Sequence, residues 1–176
     1  MKKVLLLGLI LAILLLAFPQ GVMADDATVN ANIVATTGDF SATYASHVWA
    51  LAAGPATTTE IVPVVLTITD CNQLWDIIAW DADGTTAGHM TEWDVTLPPP
   101  GYVSGGEQLN LPLRIENSAG SYPEIGITQS LAPIIRFGSL NLESAEHRFQ
   151  QEVQTGELHL PTNSYHIVVT IDATFR

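Results

Sequence analysis

From Ser164 to Phe175 the side chains alternate without a break. Tyr165, Ile167, Val169, Ile171, Ala173 and Phe175 form one series, and Ser164, His166, Val168, Thr170, Asp172 and Thr174 form the other. A period of two belongs to an extended strand and puts one apolar row on a single face. A helix of 3.6 residues per turn would scatter that row around its axis, so this segment is a strand. Leu109, Leu111, Leu113 and Ile115 repeat the pattern. Ile61–Thr69 is a β-branched run whose Pro63 suits a strand start or an edge. Val29–Thr36, Phe40–Leu51, Leu74–Trp80, Trp93–Leu97 and Leu131–Phe137 continue the series. Turn chemistry separates them: Thr37-Gly38-Asp39, Ala53-Gly54-Pro55, Asp83-Gly84, Pro98-Pro99-Pro100-Gly101 and Ser104-Gly105-Gly106. One stretch differs. Leu140–Val153 carries Glu143, Glu146, Arg148, Gln150 and Gln151, with Phe149 and Val153 four apart, and reads as a short helix or an irregular crossover. Many short strands without βαβ alternation indicate an all-β chain, an antiparallel two-sheet β-sandwich of Greek-key or jelly-roll type. No linker divides residues 25–176, which read as a single domain.

The front of the chain obeys other rules. Met1-Lys2-Lys3 is a positive start, Val4–Phe18 is an apolar run too short to span a bilayer comfortably, and Val22-Met23-Ala24 is a small-residue cleavage site. Residues 1–24 therefore read as a secretory signal peptide, and the product as secreted or cell-surface, without membrane insertion after cleavage. Losing Lys2 and Lys3 takes Lys+Arg from 6 to 4 and the formal charge from −12 to −14. Four scattered arginines (Arg114, Arg136, Arg148 and Arg176) assemble no basic patch, which excludes nucleic acid as a partner held through its phosphates. The acidic surface favours neutral glycans, cations or basic partners.

Cys71 is alone, so no intrachain disulfide forms and the domain stands on its apolar core. An acidic chain offers little to activate that thiol. Asp81-Ala82-Asp83-Gly84-Thr85, flanked by Asp76, Glu92 and Asp94, places oxygen ligands at alternate positions before a glycine. Calcium asks for that arrangement, with Asp81 and Asp83 as its ligands, although Ala79 and Met90 occupy the outer ligand positions of a full twelve-residue loop. The same residues fit a hairpin turn in which Asp-Gly supplies positive φ. Apart from calcium, no cofactor is expected. His47, His89, His147, His159 and His166 show no paired metal spacing, and His166 falls opposite the apolar row of its strand. Neither a nucleophile elbow nor a phosphate-binding loop occurs.

Trp49, Trp75, Trp80 and Trp93 lie on or beside the expected strands. Trp75 and Trp80 are five apart, so a regular strand points them to opposite faces: one serves the core while the other meets solvent or a partner. Trp75, Trp80 and Trp93 are the candidate contact residues.

Leu66-Thr67-Ile68-Thr69-Asp70, then Trp75-Asp76-Ile77, then a closing Tyr165-x-x-x-Val169-Thr170-Ile171 resemble the layout of the WxL surface domain over residues 60–176. Gln150-Gln151-Glu152-Val153 and Thr162-Asn163-Ser164-Tyr165 fit the same plan. The resemblance implies a secreted, β-rich, non-enzymatic protein that attaches non-covalently to cell-wall polymer or joins other surface proteins. Exported filament and pilus subunits share the pattern, and there residues 27–36 would self-assemble by pairing with a neighbour's sheet edge. A small secreted hydrolase with paired carboxylates is the third reading.

Overall fold

The computed structural model describes residues 25–35, 39–43, 47–69, 74–81, 83–138, 145–157 and 164–175. The expected leader, Cys71, His159 and residues 140–144 lie outside them. Thirteen strands run in chain order: β1 (Asp25–Ala35), β2 (Asp39–Thr43), β3 (His47–Leu51), β4 (Ala56–Thr59), β5 (Val64–Thr69), β6 (Trp75–Asp81), β7 (Thr91–Asp94), β8 (Gly101–Tyr102), β9 (Arg114–Ile115), β10 (Ile134–Gly138), β11 (Ala145–His147), β12 (Phe149–Val153) and β13 (Ser164–Phe175). Helical structure among the described residues is one 3-10 turn, Gln129–Leu131. The all-β class follows.

β13 organises the architecture. It is central in the large sheet, whose strand order is β10-β6-β13-β1-β3, with β7 continuing along the β6 side of β13 and β8 outside β7. The row read from sequence faces inward: Tyr165, Ile167, Val169, Ile171 and Ala173 all belong to one buried core. Two three-stranded sheets, β11-β5-β2 and β4-β12-β9, supply Val64, Leu66, Ile115, Phe149 and Val153 to the same core. Only Arg148 separates β11 from β12, so the chain passes directly from one small sheet to the other. Together they supply the second layer of a sandwich-like fold, with the large sheet as the first.

Three expectations need correcting. The second layer is split into two small sheets, where a single sheet was expected. The pairing is not wholly antiparallel, since β1 runs parallel to β13 from Ala27↔Tyr165 to Ala35↔Ala173. Parallel neighbours need a long crossover, and the whole intervening chain supplies it. The stretch read as a short helix or an irregular crossover forms strands Ala145–His147 and Phe149–Val153 where it is described. Ala145, His147, Phe149, Gln151 and Val153 are buried, while the residues between them face outward to varying degrees. Phe149 and Val153 are four apart, and four is even, so the spacing that suits a helix suits a strand face equally.

The polar members of this inward row are held through carbonyls on one side, while His147 Nε2 and Gln151 Oε1 are buried without a hydrogen-bond partner. Gln151 Nε2 donates to Leu111 O at 2.9 Å, and His147 Nδ1 lies 2.8 Å from Glu116 O. Leu109, Leu113 and Ile115 are buried as their alternation demands, but the paired segment there is only Arg114–Ile115. Pro112, lacking an amide hydrogen, cannot donate to a ladder.

Burial gives a pH signature. It lowers the pKa of both His147 and His166 below the ordinary 6.5. Both rings are therefore neutral in the folded protein under conditions where the unfolded chain binds protons. Stability is full above about pH 6.5 and falls as pH drops below it toward the lowered folded values. Urea midpoints are expected to decrease between about pH 7.5 and about pH 5.5, above the main carboxylate range, and the decrease should shrink in His166→Gln.

Candidate functional site

The face of the large sheet turned away from the core holds a set of aromatic side chains that solvent can reach. Register assigns them. Trp80 pairs with Thr170, Trp93 with Ser164 and with Tyr102, and Thr91 with His166, all on the side of β13 opposite its apolar row. Trp80, Trp93 and Tyr102 are partly exposed, and His166 is buried beneath the cluster. Trp93 meets Tyr102 edge-on at 4.9 Å between ring centroids and lies over His166 at 4.3 Å with a 36° tilt. His166 Nδ1 is 3.3 Å from the Tyr102 hydroxyl. Burial first, and then the negative charges of Asp83 and Asp81, hold that hydroxyl against ionisation, while a hydrogen bond with Thr86 acts in the opposite sense. Six residues of strand separate the levels of Ser164 and Thr170, so Trp93 and Trp80 form two aromatic stations about 20 Å apart.

Trp75 belongs elsewhere. It is 1 % exposed and sits in the core on the other face of β6. The parity argument thus holds for Trp75 and Trp80, but the contact role expected for Trp75 does not, because its ring is enclosed. Gly138 on β10 faces it, and a Cβ there would stand 2.3 Å from Trp75 Cζ2. The side chain of Trp49 lies outside the description.

The acidic loop after β6 is built around its first carboxylate. Asp81 is 1 % exposed. Its Oδ1 accepts the Asp83 amide at 2.9 Å, and its Oδ2 accepts the Gly88 amide at 2.7 Å together with the hydroxyl of fully buried Thr86. Asp83 Oδ1 accepts the Thr85 amide at 2.8 Å. Ala87 and Gly88 turn the chain back through positive φ. The loop's own donors engage both Asp81 oxygens, which supports the hairpin-turn reading of Asp81 and Asp83 over calcium ligation. Among the described residues no three His, Cys, Asp or Glu side chains converge as metal ligands. Millimolar calcium is expected to leave the melting temperature unchanged, whereas a native-state ligand would raise it.

A concavity of about 260 Å³ is lined by Glu107, Gln108, Asn110, Gly156 and Glu157. Glu157 accepts the backbone amides of Asn110 and Gln154, one on each carboxylate oxygen. It braces the junction of two loops.

Tyr102 and Thr86 escaped the reading of the sequence. Tyr102 is recognisable only if Leu97-Pro98 is taken as the centre of a hairpin, which sets it across from Trp93. Nothing local marks Thr86, whose partner Asp81 lies five residues back. No protein-family model matches the chain, and no curated protein is significantly similar to it.

Proposed function

We propose that this is an exported, non-enzymatic surface protein that acts by contact, through the outer face of its large sheet. Trp80 and Trp93 on that face, backed by Tyr102 and His166, are the observation that carries the reading. Partly exposed indoles offer a large rigid area at low entropic cost and stack on apolar faces of sugars or partner side chains. The charged start, apolar run and cleavage site of residues 1–24 support export. The acidic balance favours an uncharged ligand, and the WxL-like layout points to a cell-envelope polymer or a protein bound to it. The tryptophan of that layout, Trp75, is enclosed, so contact falls to Trp80 and Trp93.

Assembly by donation of residues 27–36 has less support, because β1 is paired on both sides within its own sheet and Ala27 and Val29 are fully buried there.

Co-sedimentation with purified envelope polymer tests the proposal. Trp80→Ala and Trp93→Ala are each expected to weaken binding by about tenfold or more while the circular-dichroism spectrum stays that of the parent. Undiminished binding by both variants contradicts it.

A further inference from the structure

Beside Trp80 the chain sets an exposed amide on a buried carboxylate. Asp172 lies on the outer side of β13, yet it is only 3 % exposed. Its Oδ2 accepts a hydrogen bond from Nε2 of the exposed Gln129 at 3.0 Å. Thr170 pairs with Trp80 and Asp172 pairs with Ile78. Trp80 and Asp172 are therefore diagonal neighbours on one face, their backbones about 7–8 Å apart. The partly exposed Trp80 ring and the Gln129 amide border the same patch of surface.

The loop that carries Gln129 is tied down at Trp80. Gly126 bridges to Trp80, its amide donating to Ala79 O at 3.2 Å and its carbonyl accepting the Asp81 amide at 2.8 Å. A Cβ on Gly126 would stand 2.6 Å from Ala132 Cα, so glycine lets the loop fold back on itself. The 3-10 turn then closes through Leu131 N to Thr128 O at 3.1 Å and Ala132 N to Gln129 O at 3.2 Å. An exposed glutamine normally loses rotamer freedom when it binds something. Here Asp172 has already fixed the side chain, which lowers that cost. One amide hydrogen is used to do so. The other hydrogen and Oε1 engage nothing else among the described residues.

A fixed donor and acceptor beside an indole suit a saccharide, whose C–H face stacks on the ring while its hydroxyls meet the amide. An apolar protein side chain would cover that amide without answering it, which costs binding energy. The face also selects charge. Lysine does not occur after Lys3, and no arginine among the described residues stands here. Arg136 pairs with core-facing Ile77, while Arg114 and Arg148 reach carboxylates of the second layer and its flanking loops. A carboxylate or phosphate on the ligand would meet Asp172 with no cation to offset it.

We propose that Gln129, held by Asp172, is the hydrogen-bonding half of the Trp80 station, and that the station takes an uncharged sugar unit of a polysaccharide. The inference rests on the contact reading above and narrows its ligand from polymer or protein to neutral glycan.

Equilibrium titration of the exported protein tests this, with neutral hexose and N-acetylhexosamine oligosaccharides set against hexuronate oligosaccharides of equal length. At least one neutral class is expected to bind, and hexuronates about tenfold or more weakly. Gln129→Ala should weaken the neutral ligand about fivefold or more, the share of one or two hydrogen bonds, with the circular-dichroism spectrum of the parent. Asp172→Asn keeps an oxygen for Gln129 Nε2 and removes the charge. It should retain the neutral ligand and narrow the preference over hexuronate, a change that mere loosening of the fold would not produce. If that variant misfolds, Gln129→Glu replaces it: a second carboxylate cannot donate to Asp172 and should weaken neutral binding at least as much as alanine. Loss of binding in Trp80→Ala but not in Gln129→Ala overturns this inference alone. So do hexuronates bound as tightly as neutral chains, and surface proteins bound with no oligosaccharide. Binding undiminished in both Trp80→Ala and Trp93→Ala defeats the contact reading itself.

Discussion

Replacing Trp75 with alanine is expected to destabilise the protein by about 3–5 kcal/mol, the range for removing a fully buried aromatic side chain. Total stability of a domain this size is about 5–15 kcal/mol, so the variant should lose about a fifth of its margin or more. Trp80→Ala should cost less than half as much, because its indole is already partly in water. Gly138 supplies a sharper form of the test. With no Cβ, it lets the Trp75 ring lie against β10, and an alanine there would meet the ring at 2.3 Å. Gly138→Ala should therefore destabilise the parent but cost little once Trp75 is alanine. Urea denaturation of the two single variants and the double variant measures that coupling. Additive costs would mean that the ring does not lie on Gly138.

Asp81→Ala should be nearly as damaging. It strands two amide donors, those of Asp83 and Gly88, and leaves the Thr86 hydroxyl only its longer bond to Asp83 O at 3.2 Å. Hydrogen bonds to a charged group each contribute about 1.5–3 kcal/mol, and stranded donors add their desolvation cost, so a loss of about 3 kcal/mol or more is expected. Asp81→Asn should recover only part, because its amide NH₂ presents hydrogens where Thr86 and Gly88, or Asp83, also donate. Hydrogen exchange at the Gly88 amide reports the loop directly and should accelerate in both variants. Thr86, Asp81 and Asp83 all act on the ionisation of the Tyr102 hydroxyl, so the loop adjoins the aromatic cluster. Weakened polymer binding by Asp81→Ala, despite an intact Trp80 and Trp93, is the functional consequence.

What could be read in the chain without its fold divides along a physical line. Burial on one strand face is a local, periodic property, so the inward row of β13 and the opposite facing of Trp75 and Trp80 were legible. Pairing direction is not local, and no alternation in Asp25–Ala35 tells that β1 runs parallel to β13. Residues 145–153 were misread because good helix formers occupy the outward positions of a strand, and tertiary burial overrides that preference. The acidic loop was legible as a cluster of oxygens. Its purpose was not, since only the fold shows that Asp81 turns its carboxylate onto amides two and seven residues ahead. Trp93, Tyr102 and His166 come from three separate parts of the chain, and only the β7–β8 hairpin and its ladder to β13 join them.

Contact through the outer face is the claim from which the functional account descends, and the indole resonances of the four tryptophans test it most directly. Soluble fragments of the envelope polymer, titrated onto isotope-labelled protein, should shift the Nε1–H signals of Trp80 and Trp93 and leave that of Trp75 in place. A polymer that sediments the protein yet moves only Trp75, or none of the three, would contradict the account.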